Sequence, residues 1–572
     1  MTLPQSSAPF GRRRTSALLC LALITAACSD DDGPTAPEVC GSGGGLIANL
    51  NELQGVVVTS EQLESCNLLP GNGANYLVVP QFASSGSAAS LQYTIGAEDG
   101  MTASVAARLA ANEETISRQA AFDRALREAE RSLRPDPALT RRSGPSLSTI
   151  AAVPELNSTR DFNVLASLAP GEPQFETATA RLRFVGDNIL LYVDIESPAG
   201  GFSDQELTAL GTHFDNDLFE IGVANFGNVS DIDADDRVLV LLTPLVNRLT
   251  PASSCASEGF ITGFFFGLDL IAGEEGSNEG EVFYALVPDP SAQFSCAHSA
   301  AQVRSIVPAT FIHELQHMIS FNEHVLVRNG TPEELWLNEG LSHMAEEIVA
   351  LDYERRFPPP AGRTNPQQLF PDSAGPFITG NLLNSYTYLA NSHTVSATSL
   401  AGTGSLSERG ATWLFLRWLG DHEGNGIFKR LVQTGQTGIT NIQAQAGEPF
   451  PGLFGDFGVA VYTDSIIGVP RSQVPERLRF TSRNLRVIYQ ALFNALTVNG
   501  QPNARVPRPF PIELRALPPN GQATDAMVPG TMDHFQIQST SAPEVELIFR
   551  RSTGEPFAPT LNAQVGVFRL PD

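Results

Sequence analysis

"FIHELQHMISFNEH", residues 311–324, carries His313-Glu314-Leu315-Gln316-His317. On an α-helix, residues four apart share a face, so His313 and His317 can turn both imidazoles towards one ion. Glu314 is rotated off that face yet stays near enough to reach a water beside the metal. Two histidines make half of a tetrahedral site, so the reading turns on a third protein ligand. A glycine at 320 with a histidine at 323 would supply it from the same stretch. The chain has Ser320 and Glu323, and His324 is one place out. The other source is a glutamate on a following helix. "TPEELWLNEGLSHMAEEIVA", residues 331–350, offers Glu339, far enough beyond His317 for one helix to end and a second to return. Thr331, Pro332 and Glu334 predict that second helix's start, as a capping box with proline in the first position. Pro308 fits the first turn of the motif helix, or a kink if that helix begins earlier.

Together, "HELQH" and "WLNEGLSHMAEE" resemble the gluzincin metallopeptidases, and most of all the hyicolysin peptidase family. "SDIDADDRVLVLLTPLVN" before the motif and "ERGATWLFLRWLGDHEG" after it are also similar to that family. The resemblance spans about residues 160–460. It implies an α+β fold, with a gluzincin-like domain of mixed sheet and helical metal-site region. It also implies an extracellular zinc endopeptidase acting on protein or peptide substrates. In that reading one Zn2+ is held by His313, His317 and Glu339, and Glu314 is the general base. Neutral imidazoles and one carboxylate leave the ion positive and one position open. His343, four residues after Glu339, stands where thermolysin-like relatives place an aspartate that braces a zinc histidine. His343 and Glu346 are therefore both candidates for the bracing group. Tyr386, Tyr388 and His393, in "NSYTYLANSH", are candidates for stabilising the oxyanion. No spacing selects among them.

Composition narrows the setting. The chain has 572 residues, a formal charge of −26 and a single lysine, Lys429, which argues against nucleic-acid partners. Arg12-Arg13-Arg14 and the short apolar run to Ala27 predict a secretory signal over residues 1–27. The run ends at Cys28 in a pattern similar to a bacterial lipobox, with Thr25 in place of the usual aliphatic residue. The expectation is a lipid-anchored protein at the outer membrane or cell surface, otherwise a secreted one. Cys40, Cys66, Cys255 and Cys296 remain for disulfides, the sequence-local pairs Cys40–Cys66 and Cys255–Cys296 being expected over two other connectivities. A monomer is expected.

The organisation follows: a lipidated tether over 28–39, a small β-rich domain over 40–98, and a helical segment with linker over 99–157. The last is a candidate propeptide, with Arg141-Arg142 a candidate processing site. A metallopeptidase domain over 158–500 precedes a C-terminal β-rich domain over 505–572. Within the large domain, "SDQELTALGTHFDNDLFEIGVANFG" predicts a helix capped by Ser203 and Glu206, and "RVLVLLTPLVN" and "GEVFYALVPDP" predict buried strands. Trp413 to Trp418 read as helix core. Asp231, Asp233 and Asp235, in "SDIDADDR", form either a Ca2+ site or an acidic turn. The competing reading of the whole is a catalytically inactive cell-surface binding lipoprotein on a peptidase fold. An aminopeptidase ranks lower, because no GxMEN-like stretch holds a substrate amine.

Overall fold

Every side chain of the strand Val238–Leu242 is buried, as a strand covered on both faces requires. It pairs in parallel with Ile189–Asp194 on one side and Val282–Ala285 on the other. Antiparallel strands extend this centre: Gln174–Val185 and Thr159–Ser167 on one flank, and the short edge strand Gly263–Phe265 on the other. The computed structural model describes residues 45–46, 50–86, 89–98, 103–105, 117–134, 153–168, 173–358, 370–399, 404–517, 521–538 and 543–572. The expected signal, Cys28 with its tether, Cys40 and Arg141-Arg142 lie outside the described residues. Among those described, no helix is long and apolar enough to cross a membrane.

The turn at Gly186-Asp187-Asn188 joins Gln174–Val185 to Ile189–Asp194. Ser203 and Glu206 form the expected capping box. The helix it starts widens to a π turn over Phe214–Leu218, where the Asp215 carboxylate accepts from Asn188 N at 2.6 Å and Asp187 N at 3.2 Å. That contact ties the helix to the hairpin. Cys255 and Cys296 are joined as expected. Cys66 is disulfide-bonded as well.

The terminal segments correct an expectation. Residues 40–98 and 505–572 are not two β domains, because their strands alternate within the same two sheets. One sheet runs Gly45–Leu46, Cys66–Pro70, Glu544–Arg551, Leu91–Glu98, Gly521–Met527, Ala103–Val105; the other runs Arg515–Leu517, Phe535–Gln538, Asn75–Phe82, Ala563–Leu570, Gly55–Thr59. Tyr76, Val78, Tyr93 and Ile95 from the first end share one core with Phe535, Leu547, Val565 and Val567 from the other. Neither end has enough strands to cover an apolar face alone. Ala103–Val105, expected to be helical, pairs instead with Gly521–Met527. The second sheet rests on the helix Phe450–Thr463: Gln81 and Gln564 donate to Gly455 O and Pro451 O.

Candidate metal centre

Ser299 and Gln302 form a capping box that opens the motif helix, Ala300–Phe321, so Pro308 lies inside it rather than in its first turn. The following helix, Leu335–Arg356, begins three residues later than Thr331 as its cap would place it, with no side-chain cap at Glu334. The reason is visible in the preceding carboxylates. Glu333 is buried and accepts from Gly438 N at 2.7 Å and Asn441 Nδ2 at 2.8 Å, while Glu334 accepts from Trp336 Nε1. These contacts hold residues 333–334 outside the helix. His324, the histidine one place out, faces Glu333 at 3.9 Å.

The two helices bring the expected ligands together. His313 Nε2 lies 3.5 Å from Glu339 Oε2, and His317 Nε2 lies 3.6 Å from Glu339 Oε1. The ligand atoms of His313, Glu314 and His317 fall within 4.8 Å of one another. All four side chains are buried. His313 Nε2, His317 Nε2 and Glu339 Oε1 have no hydrogen-bond partner. Buried polar atoms without partners are rare and ask for an explanation such as an ion. Two imidazole nitrogens and a carboxylate facing one point fit zinc, with a fourth position for water.

Packing explains the Asn-Glu-Gly sequence. A Cβ on Gly340 would stand 2.3 Å from Thr412 Cγ2, so glycine here allows the close approach of the helix Leu406–Glu423. Gly410 does the same against the backbone of Asn384 and Ser385, at 2.3–2.4 Å. This approach sets Arg409 NH1 2.8 Å from Glu339 Oε2. Burial alone would raise the Glu339 pKa, but Arg409 and the histidines outweigh it and keep the carboxyl ionised.

Of the two bracing candidates, Glu346 reaches His313. Its Oε1 accepts from His313 Nδ1 at 2.7 Å and also contacts His343 Nδ1 at 3.1 Å, and its Oε2 accepts from Asn381 Nδ2. Burial would raise its pKa, but His343 and His313 hold it down to about 2, so it is an anion. An anion on Nδ1 directs Nε2 to the metal. His343 supports Glu346. Burial pushes Glu314 up to about 8, against the pull of His313 and Arg127.

The remaining candidates part ways. The Tyr386 hydroxyl donates to Arg508 O at 2.7 Å, which commits it to the chain leading into the terminal sheets. Tyr388 is buried with its hydroxyl unpartnered, and His393 is buried and engaged. No contact joins either to the ligands among those described. Trp413 and Trp418 are core, donating to Glu347 and Arg477 O. Asp231 and Asp233 lie together, but Asp235 is turned back to accept from Arg237 N, and Glu281 takes its place in the cluster.

The helix Arg118–Glu130 lies in the segment expected to be helical, but its place against the site was not foreseen from the sequence. Its Arg127 NH2 lies 3.5 Å from Glu314 Oε2, and Asp123 approaches His313 and Glu339 closely enough to share an ion with them. Asp123 also pairs with Arg409 at 3.1 Å.

A curated metalloprotease resembles this chain. It is the neutral metalloprotease ShpI of Staphylococcus hyicus, 24% identical over 285 residues, or 49% of this chain. The match covers 55% of that protein, so the chain spans about half the length of the curated relative it matches. No protein-family model matches the chain.

Proposed function

We propose that this chain is an exported zinc endopeptidase. The observation that carries the reading is the convergence of His313, His317 and Glu339 from two helices, with two unpartnered buried imidazole nitrogens and an unpartnered carboxylate oxygen facing one point and Glu314 beside them. The similarity to a neutral metalloprotease supports it, as does the disulfide Cys255–Cys296, which suits an oxidising compartment.

Zinc, when bound there, supplies positive charge that acidifies a water and polarises the scissile carbonyl. Glu314 takes the proton of the attacking water and returns it to the departing amine. Glu346 holds the His313 ring, and Arg409 keeps Glu339 ionised. The edge strand Gly263–Phe265 is antiparallel to its neighbour and, among the described residues, has one side free of sheet partners, the geometry on which an extended peptide adds as a further strand. Casein hydrolysis abolished by a zinc chelator and by Glu314→Gln tests the proposal. A chain that binds zinc yet cleaves nothing in any state would favour a binding protein on a peptidase fold.

A further inference from the structure

We propose that the helix Arg118–Glu130 is a latch that closes the metal centre and must move before a peptide can be cut. The inference rests on the zinc-endopeptidase reading and concerns its regulation. A substrate needs three things: a strand edge to lie along, a free general base, and the open position at the metal. This helix takes all three.

At the strand edge, Gln119 donates to Gly263 O at 3.0 Å and accepts from Thr262 N at 2.7 Å. Arg127 donates to Phe265 O at 2.6 Å, and Glu130 accepts from Gly267 N at 2.6 Å. Side chains of the helix thus make the hydrogen bonds that a peptide backbone would make. At the base, Glu314 Oε2 accepts from Phe265 N at 3.1 Å and faces the Arg127 guanidinium, so its basic oxygen is engaged. At the metal position, the Asp123 carboxylate groups with His313 and Glu339, where it can serve as a further oxygen ligand. The space between this helix and the start of Leu335–Arg356, lined by Arg127, Glu130, Glu333 and Asn338, is about 10 Å³. That is room for one water at most.

The buried face of the helix also distinguishes a latch from a permanent wall. A core helix buries an apolar stripe. This one buries Asp123, Arg127 and Glu130 alongside Ala120 and Leu126, a charge pattern complementary to Glu339, Glu314 and Arg409. Buried ion pairs give orientation at little net gain in stability, so such a helix is specific in place and displaceable.

The test uses the full chain loaded with cobalt(II), and the variant Asp123→Asn/Arg127→Met, which keeps side-chain size and removes both charges. Acetohydroxamic acid binding is read from the cobalt visible spectrum, and peptide hydrolysis is read in parallel on the zinc forms. A displaced latch gives at least about tenfold tighter hydroxamate binding and at least about tenfold faster hydrolysis, since charge-assisted hydrogen bonds are lost. A folded variant with wild-type hydroxamate affinity overturns the latch. Tighter hydroxamate binding with no cleavage by either protein leaves the latch standing and removes the endopeptidase reading. Should the variant not fold, amide exchange in the wild type decides: residues 118–130 opening ahead of global unfolding supports the latch, and exchange only through global unfolding overturns it.

A separate observation points to a second cation. From Asp231, Asp233 and Glu281 we infer a site for a hard divalent cation of the calcium type. Ligand oxygens of the three lie within 4.8 Å of one another. Glu281 is 1% exposed, and its Oε2 has no hydrogen-bond partner; Asp233 Oδ1 is likewise unpartnered. The Ser230 hydroxyl lies beside Glu281. Arg160, 3.5 Å from Asp233, answers one of three carboxylates. An ion here would tie the loop before Val238–Leu242 to the start of Val282–Ala285 through oxygen ligands of the type calcium prefers.

The zinc-loaded full chain, freed of other metals, is melted with and without about 10 mM calcium chloride, above the Kd range of extracellular calcium modules. A rise of about 1–3 °C that is absent in Glu281→Gln supports the site. No rise, or an equal rise in that variant, overturns it.

Discussion

Glu314→Gln keeps one zinc and a native melting curve, and peptide hydrolysis falls by about 10² to 10⁴. Glutamine preserves the size of the side chain and can still accept from Phe265 N, the hydrogen bond the carboxylate makes at 3.1 Å. It removes the oxygen that accepts the water's proton. Zinc content is unaffected because His313, His317 and Glu339 supply the ligands without it. The Arg127 ion pair is lost in the same change. That loss loosens the latch and acts against the chemical defect, so the measured fall is smaller than in a chain already freed of Asp123 and Arg127 charge. Wild-type rates in a zinc-replete Glu314→Gln chain would show that the base lies elsewhere.

Cutting the chain after residue 503 destroys the terminal β layers rather than releasing a domain. Asn75–Phe82 would lose both neighbours, Phe535–Gln538 and Ala563–Leu570. Leu91–Glu98 would lose Gly521–Met527 and Glu544–Arg551. Phe535, Ile537, Val545, Leu547, Val565 and Val567 leave the shared core. At about 1.5–3 kcal/mol for each buried side chain, the loss is about 10–20 kcal/mol, as large as the whole stability of an ordinary domain. Tyr386 also loses its acceptor at Arg508. The expected result is a truncated chain that binds a hydrophobic dye and melts without cooperativity. A soluble truncation with the wild-type transition would contradict the interleaved topology.

The grouping of the candidate metal ligands was legible because their placement is mostly local. Helical spacing fixes His313 against His317, and one reversal brings Glu339 back to them. The strands Val238–Leu242 and Val282–Ala285, and those at both ends of the chain, were legible from their apolar runs and alternation. Their partners were not, since pairing residue 78 with 567 is a choice among long-range registers that no local pattern encodes. The helix Arg118–Glu130 was expected, but its covering role was not legible, for a related reason. Asp123, Arg127 and Glu130 repeat at helical spacing, and charge on one helix face ordinarily means solvent. Only the charges of Glu314, Glu339 and Arg409, supplied from elsewhere in the chain, make that face a buried one. Thr331 was overvalued because a capping box is a local preference. The buried Glu333, fixed by Gly438 and Asn441, overrides it.

The measurement that bears most directly on the central claim is metal analysis of the full chain after gel filtration, on wild type and Glu339→Gln side by side. The account predicts one zinc per wild-type chain, and a Glu339→Gln chain that folds, retains well under one zinc and does not cleave peptide. A Glu339→Gln chain with full zinc and undiminished hydrolysis would contradict it.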